Sequence, residues 1–142
     1  MEKIRFKIKD TNLFVDLNTS KDTLNDLSNN GFISMLENQR IDIFTFKTFF
    51  NGYKYTAFLS FDDVKRIVLH WDDGPITKVD WDGVSIKLLN EEYKILAESY
   101  EIFFKRPATK KKNNELIWDL DRGHKLILTK ESRSFSVITI IR

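Results

Sequence analysis

Two histidines, His70 and His124, are the side chains of this chain that ordinarily titrate near neutral pH, and each has acids close by. His70 precedes Trp71, Asp72 and Asp73; His124 follows Asp119 and Asp121. A carboxylate that orients an imidazole makes a general base, so either position can in principle support hydrolysis. The competing role is that of a polar residue where a strand meets a turn. No Gly-x-Ser-x-Gly supplies a nucleophile, and neither Gly-x-Gly-x-x-Gly nor Gly-x-x-x-x-Gly-Lys supplies a phosphate loop.

Carboxylates are the second resource. Asp80 with Asp82 and Asp119 with Asp121 are i, i+2 pairs, expected to project from one side of a strand. Joined by Asp62, Asp63, Asp72 and Asp73, they offer hard oxygen ligands for magnesium or calcium. The spacing lacks the central glycine and closing glutamate of a calcium loop, and Asp is a common turn residue in its own right. No metal and no cofactor is expected. The basic cluster Lys105, Arg106, Lys110, Lys111 and Lys112, with Phe103 and Phe104 beside it, can neutralise phosphates. Its placement in an expected loop favours a solvated role, so nucleic acid is not the expected partner. Phe44, Phe46, Phe50, Tyr53 and Tyr55 can line a cavity, but core packing is the simpler expectation.

These residues need elements to hold them, and the turns are readable. Asn51-Gly52 separates two β-rich runs, Ile41–Phe50 and Tyr53–Phe61. A type I′ turn there makes facing residues sum to 103, with Phe50 against Tyr53 and Phe44 against Leu59. Near the N-terminus, Ile4, Phe6 and Ile8 alternate with charges and should face Leu17, Val15 and Leu13. Thr19 or Ser20 caps a helix running to about Asn30, and Gly31 ends it. Phe32 to Gln39 suits a further helical turn.

A strand from about Lys65 to Trp71 is expected to fold back through Asp72–Ile76 onto Thr77–Trp81. Asp82-Gly83 then forms a second tight hairpin, pairing Trp81 with Val84, Val79 with Ile86 and Thr77 with Leu88. Asn90-Glu91-Glu92 starts a second helix with its apolar stripe at Tyr93, Leu96, Ala97 and Tyr100. Ile102–Lys105 suits a strand and Ala108–Asn114 a linker. Leu116–Leu120, His124–Lys130 and Phe135–Ile141 close the chain as an antiparallel meander. The expected architecture is one α+β domain over residues 1–142: a curved, mostly antiparallel sheet of about eight or nine strands, with two short helices on one face.

The 142 residues carry a net charge of +2, unevenly spread. Residues 1–60 are net +1, residues 61–100 net −4 and residues 101–142 net +5. With 42% hydrophobic residues the chain can build a core, and with no cysteine it has neither disulfide nor thiol nucleophile. No apolar run approaches the roughly 20 residues that span a bilayer, and no signal peptide is visible, so a cytoplasmic protein without a membrane partner is expected. Lacking a catalytic motif, the chain is expected to be a non-enzymatic protein-binding module, of the type of a bacterial immunity protein that neutralises a toxin. The expected contact surface is acidic, formed by Asp62, Asp63, Asp72, Asp73, Asp80 and Asp82 with Trp71 and Trp81 as anchors, for a basic toxin domain. The alternatives are a small hydrolase or nuclease using the Asp and His turn residues, and a weak nucleic-acid binder using residues 105–112.

Overall fold

The computed structural model describes residues 4–36, 41–61, 65–77, 85–131 and 136–142. Its main body is an eight-stranded antiparallel sheet in the order β3-β4-β5-β6-β10-β9-β8-β7, accompanied by two helices and a small hairpin, β1 with β2. The fold is α+β, as the sequence pattern requires.

The hairpin comes first. Phe6–Lys7 (β1) pairs with Phe14–Val15 (β2), and Phe6 faces Val15 as the alternation predicts. Phe6, Ile8 and Val15 are buried, because all three lie on the side facing the body. Helix α1, Lys21–Asn29, is capped by the Ser20 hydroxyl, which accepts from the Thr23 amide at 3.1 Å. Gly31 takes φ +79° after the helix, the left-handed position that stops the spiral. Phe32 onward does not form another helical turn. Ser34–Leu36 (β3) lies instead along Ile43–Phe50 (β4), with Met35 facing Phe44.

The Asn-Gly turn behaves as its chemistry dictates. All eight pairs between β4 and β5 (Tyr53–Phe61) sum to 103, from Phe50↔Tyr53 to Ile43↔Ser60. Asn51 and Gly52 take φ +52° and +84°, the two positive values of a type I′ turn. Phe44, Phe46, Phe50, Tyr55, Ala57 and Leu59 are buried in the core. The Asn51 side chain also donates to the Ser99 carbonyl at 3.2 Å, which ties the turn to the second helix.

The middle of the chain departs from expectation. Lys65–Trp71 (β6) pairs with β5 on one side and with Ser136–Ile141 (β10) on the other. Both edges being taken, β6 has no side left for the expected strand Thr77–Trp81. Ile86 and Leu88 belong to helix α2, Ile86–Phe104, so they cannot pair with Val79 and Thr77. The Ser85 hydroxyl caps α2 by accepting from the Leu88 amide at 3.3 Å. The helix is long, not short, at 19 residues, and it absorbs the segment Ile102–Lys105 that alternation assigned to a strand. Lys105 ends it in the left-handed region, φ 57°, and Pro107 lies just beyond, where a helix could not continue. The expected linker Ala108–Asn114 contains strand β7, Lys110–Lys112.

Glu115–Asp119 (β8), Lys125–Glu131 (β9) and β10 form the closing meander within a residue of the expected bounds. The sheet is therefore two four-stranded meanders meeting where β6 pairs with β10. Helix α2 joins them and packs on β9 and β10. Its inward residues Leu89, Leu96, Tyr100 and Phe104 are buried. An aromatic seam runs beneath it: Phe50 lies 5.1 Å from both Phe6 and Phe103, and Trp118 lies 5.9 Å from both Tyr100 and Phe104, ring centre to ring centre. Edge-on, tilted and stacked packing of this kind is favourable beyond the area it buries.

The turn supplies a test of the fold. A side chain at Gly52 would meet nothing within 4 Å, so Gly52→Val carries only the cost of positive φ, about 1 kcal/mol or more. Asn51→Ala loses both a residue tolerant of that region and the bond to Ser99, and should cost a similar amount. Urea denaturation of both variants, showing lowered midpoints with unchanged slopes, is the expected result.

Candidate binding surfaces

Of the eight expected contact residues, the structure describes Trp71, Asp72 and Asp73; Asp62, Asp63, Asp80, Trp81 and Asp82 lie outside the described residues. Asp72 stands at the end of β6 and is held in place. The Thr56 hydroxyl donates to its Oδ1 at 2.6 Å, and Lys47 reaches both its Oδ2 at 3.2 Å and the Thr56 oxygen at 2.5 Å. Its charge is thereby answered within the chain. Asp73 is exposed. Trp71 is half-buried and stands edge-on to Tyr53, centres 4.9 Å apart, so it supports the corner more than it projects from it.

Beside this corner is an open groove of about 600 Å³, walled by Lys7, Lys9, Lys47, Phe49, Lys54 and Asp73 among others. Phe49 is 62% exposed. His70 lies on the same side of the sheet, edge-on to Phe58 at 5.4 Å. Burial lowers the His70 imidazole from its ordinary value, against the opposing pull of the Asp72 carboxylate.

The other histidine occupies a different place. Leu120 separates β8 from a 3-10 turn, Asp121–Gly123, in which Arg122 and Gly123 both take positive φ. Asp119 and Asp121 consequently do not share one side of a strand. Asp119 pairs with Lys125 at 3.0 Å, and that bond holds its carboxyl below the usual range. Asp121 and His124 instead line a cavity of about 170 Å³ with Asp16, Leu17 and Ile141. One Asp121 oxygen is buried there with no hydrogen-bond partner among the described residues. Among the described residues, no three His, Asp or Glu side chains converge to hold a metal ion.

The face of the sheet turned away from α2 carries a pattern that single-strand alternation did not reveal. Phe58 faces Val68, Val68 faces Ile140, Ile140 faces Ile127, and Ile127 faces Ile117. One apolar row thus crosses five adjacent strands, about 20 Å at ordinary strand spacing. Ile117 and Ile127 are buried although they lie outside the main core cluster. The neighbouring row is net positive, with Asp119 paired to Lys125 at its far end. Arg66 precedes Ile67, which faces Ile141; Arg142 follows Ile141 and exchanges backbone bonds with Lys125. Solvated faces of antiparallel sheets are ordinarily polar; here Phe58, Val68 and Ile140 are half-buried and Ile127 and Ile117 buried, so the stretch of the row open to a partner is Phe58–Val68–Ile140. Alternation within each strand was legible; alignment between strands was not, because β6 and β10 are far apart in the chain.

The basic segment is distributed differently from expectation. Arg106 donates to the Asp119 carbonyl and lies over the Phe104 ring, while Lys110, Lys111 and Lys112 form the exposed outer strand of the sheet. Phe104 is core, and Phe103 leans on Phe50.

Glu92 was missed by the sequence pattern, which placed it among the acids of a helix start. It lies in the second turn of α2, 3% exposed, and accepts from the Ile76 amide at 3.2 Å. Gly74 leaves the room: any larger residue would press on the Glu92 carboxylate and the Trp71 ring. The available signal was spacing, since Leu89, Glu92, Leu96 and Tyr100 occupy one face. Burial pushes its carboxyl up to about 7.

No protein-family model matches this chain, and no curated protein or solved structure resembles it significantly.

Glu92 gives a pH test. Its folded value lies above the ordinary 4.5, so the fold is favoured by the proton. Its contribution is complete below pH 4.5 and is lost as pH rises through about 7. Glu92→Gln keeps an acceptor for Ile76 without the charge. The variant should be more stable than the parent at pH 8, by on the order of 1 kcal/mol, and the difference should shrink towards pH 5. Thermal melts across that range check it.

Proposed function

We propose that this chain is a non-enzymatic protein-binding module of the kind that neutralises a toxin, as bacterial immunity proteins do. The observation that carries the reading is the half-buried run Phe58, Val68 and Ile140 of the apolar row on the sheet face opposite α2. Aligned apolar side chains bordered by charge are the usual composition of a protein interface. The bordering row holds Arg66, Arg142 and the Lys125–Asp119 ion pair, a net positive set that an acidic partner surface would complement. That is the opposite sign to the one suggested by the acidic segment 61–100, where Asp72 is engaged by Lys47 and Asp73 is exposed.

Two further observations support binding over catalysis and over nucleic acid. His70 and His124 line separate features, each with its own acid, and among the described residues neither makes a hydrogen bond to a nucleophilic side chain. The row is mostly aliphatic, whereas bases are held by stacking on flat rings; the one ring within it, Phe58, has His70 against it.

Co-expression with the product of the adjoining upstream gene tests the proposal. The wild-type chain should relieve growth arrest, as should the double variant His70→Gln, His124→Gln. Val68→Asp, which places a charge in the row, should abolish relief while circular dichroism shows the fold retained. Failure of the wild type to relieve arrest, or loss of relief in the histidine variant, overturns the reading.

A further inference from the structure

The two outer strands of the sheet are unlike in a way that bears on association. An outer strand exposes unpaired backbone groups and invites another strand, and charged side chains, lysine above all, prevent this. β7 is Lys110-Lys111-Lys112, exposed throughout. β3, at the other edge, is Ser34-Met35-Leu36 and has no charge. Met35 and Leu36 are 43% and 41% exposed, and Phe32 just before them is 45% exposed. Among the described residues, β3 pairs with β4 on its inner side and with no strand on its outer side.

We propose that β3 is the contact through which two copies of this chain associate, antiparallel strand on strand, so that one sheet runs through both. A contact between identical copies sets each patch against itself, and like charges directly opposite one another are unfavourable. A neutral apolar strand meets that condition, and the lysine strand at the opposite edge does not. Among the described residues near this edge, Lys21 at the start of α1 and Asp42 just ahead of β4 answer one another at 2.8 Å. A strongly acidic or basic partner finds no counter-charge on β3 itself, so a second copy is the occupant that its chemistry fits. Centred on Met35, the pairing sets Met35 opposite Met35 and Ser34 opposite Leu36. Since Met35 faces Phe44 across the sheet, the paired methionines extend the side that α1 and α2 cover, and Leu36 extends the open side. The proposal is independent of what the open face binds.

Sedimentation velocity on the purified chain is the test. The wild type should shift from monomer towards dimer as concentration rises, with a dissociation constant on the order of 10–100 µM, as a small interface implies. Met35→Lys sets two ammonium groups against each other at the symmetry axis and should sediment as monomer throughout, with an unchanged thermal midpoint. Lys111→Met, at the other edge, should leave the parent's dimerisation constant unaltered. A wild type that stays monomeric to about 200 µM overturns the proposal. So does a dimer that survives Met35→Lys, and one lost with Val68→Asp but kept with Met35→Lys would move the contact to the open face.

Discussion

Three buried hydroxyls sit where the halves of this molecule meet. Tyr55 on β5 and Tyr100 on α2 share a bond of 3.0 Å, and Tyr100 and Thr139 on β10 share one of 2.6 Å. Each is almost wholly removed from water, so each needs the others: a buried hydroxyl without a partner costs about 1–3 kcal/mol. The chain of bonds therefore fixes the position of α2 over both meanders at once. Burial raises the phenol of Tyr100 to about 12 and raises that of Tyr55 as well, so both stay neutral and the network carries no charge. Register follows from this one constraint. Sliding β10 against β6 by one residue would turn Thr139 to the open face and set an isoleucine beneath Tyr100.

The other features arrange themselves around that anchor. The aromatic seam of Phe6, Phe50, Phe103, Phe104 and Trp118 fills the space on one side of it. Toward the start of α2, Glu92 latches the turn that follows β6. Because α2, α1 and the β1–β2 hairpin all pack into the core on one face of the sheet, the opposite face is left with its own apolar row and net positive border. The functional proposal rests on that division of labour between faces.

Where one turn or one cap decides a structure, the sequence was informative. Asn51-Gly52 determined every pair of its hairpin, Ser20 marked the start of α1, and the closing meander was legible from alternation bounded by Gly123 and the polar turn after Lys130. The centre was not, because Asp82-Gly83 resembles Asn51-Gly52 locally, while β6 owes its second partner to β10, some seventy residues later. Helix α2 was similarly half-visible: its later stripe was clear, but Ile86 and Leu88 also suit a strand, and tertiary packing decided between them. Of the expected site, the ion pair of Asp72 could not be read from the sequence, because Lys47 lies two strands away. The open-face row was invisible for the same reason as β6: it exists only once distant strands are aligned.

The seam between β6 and β10 also sets an order of events. Each meander can form from neighbouring strands, where closing a short loop is cheap in entropy. β6, however, remains an outer strand of the first meander until β10 arrives, presenting Ile67 and Leu69 beside unsatisfied backbone groups. Contacts that distant in sequence slow folding, and a half-built sheet with an apolar border is the species most exposed to wrong partners. Helix α2, lying between the two meanders in sequence and bonded through Tyr100 to both, is the element able to shorten that interval, since once docked on the first meander it brings β9 and β10 to the waiting border.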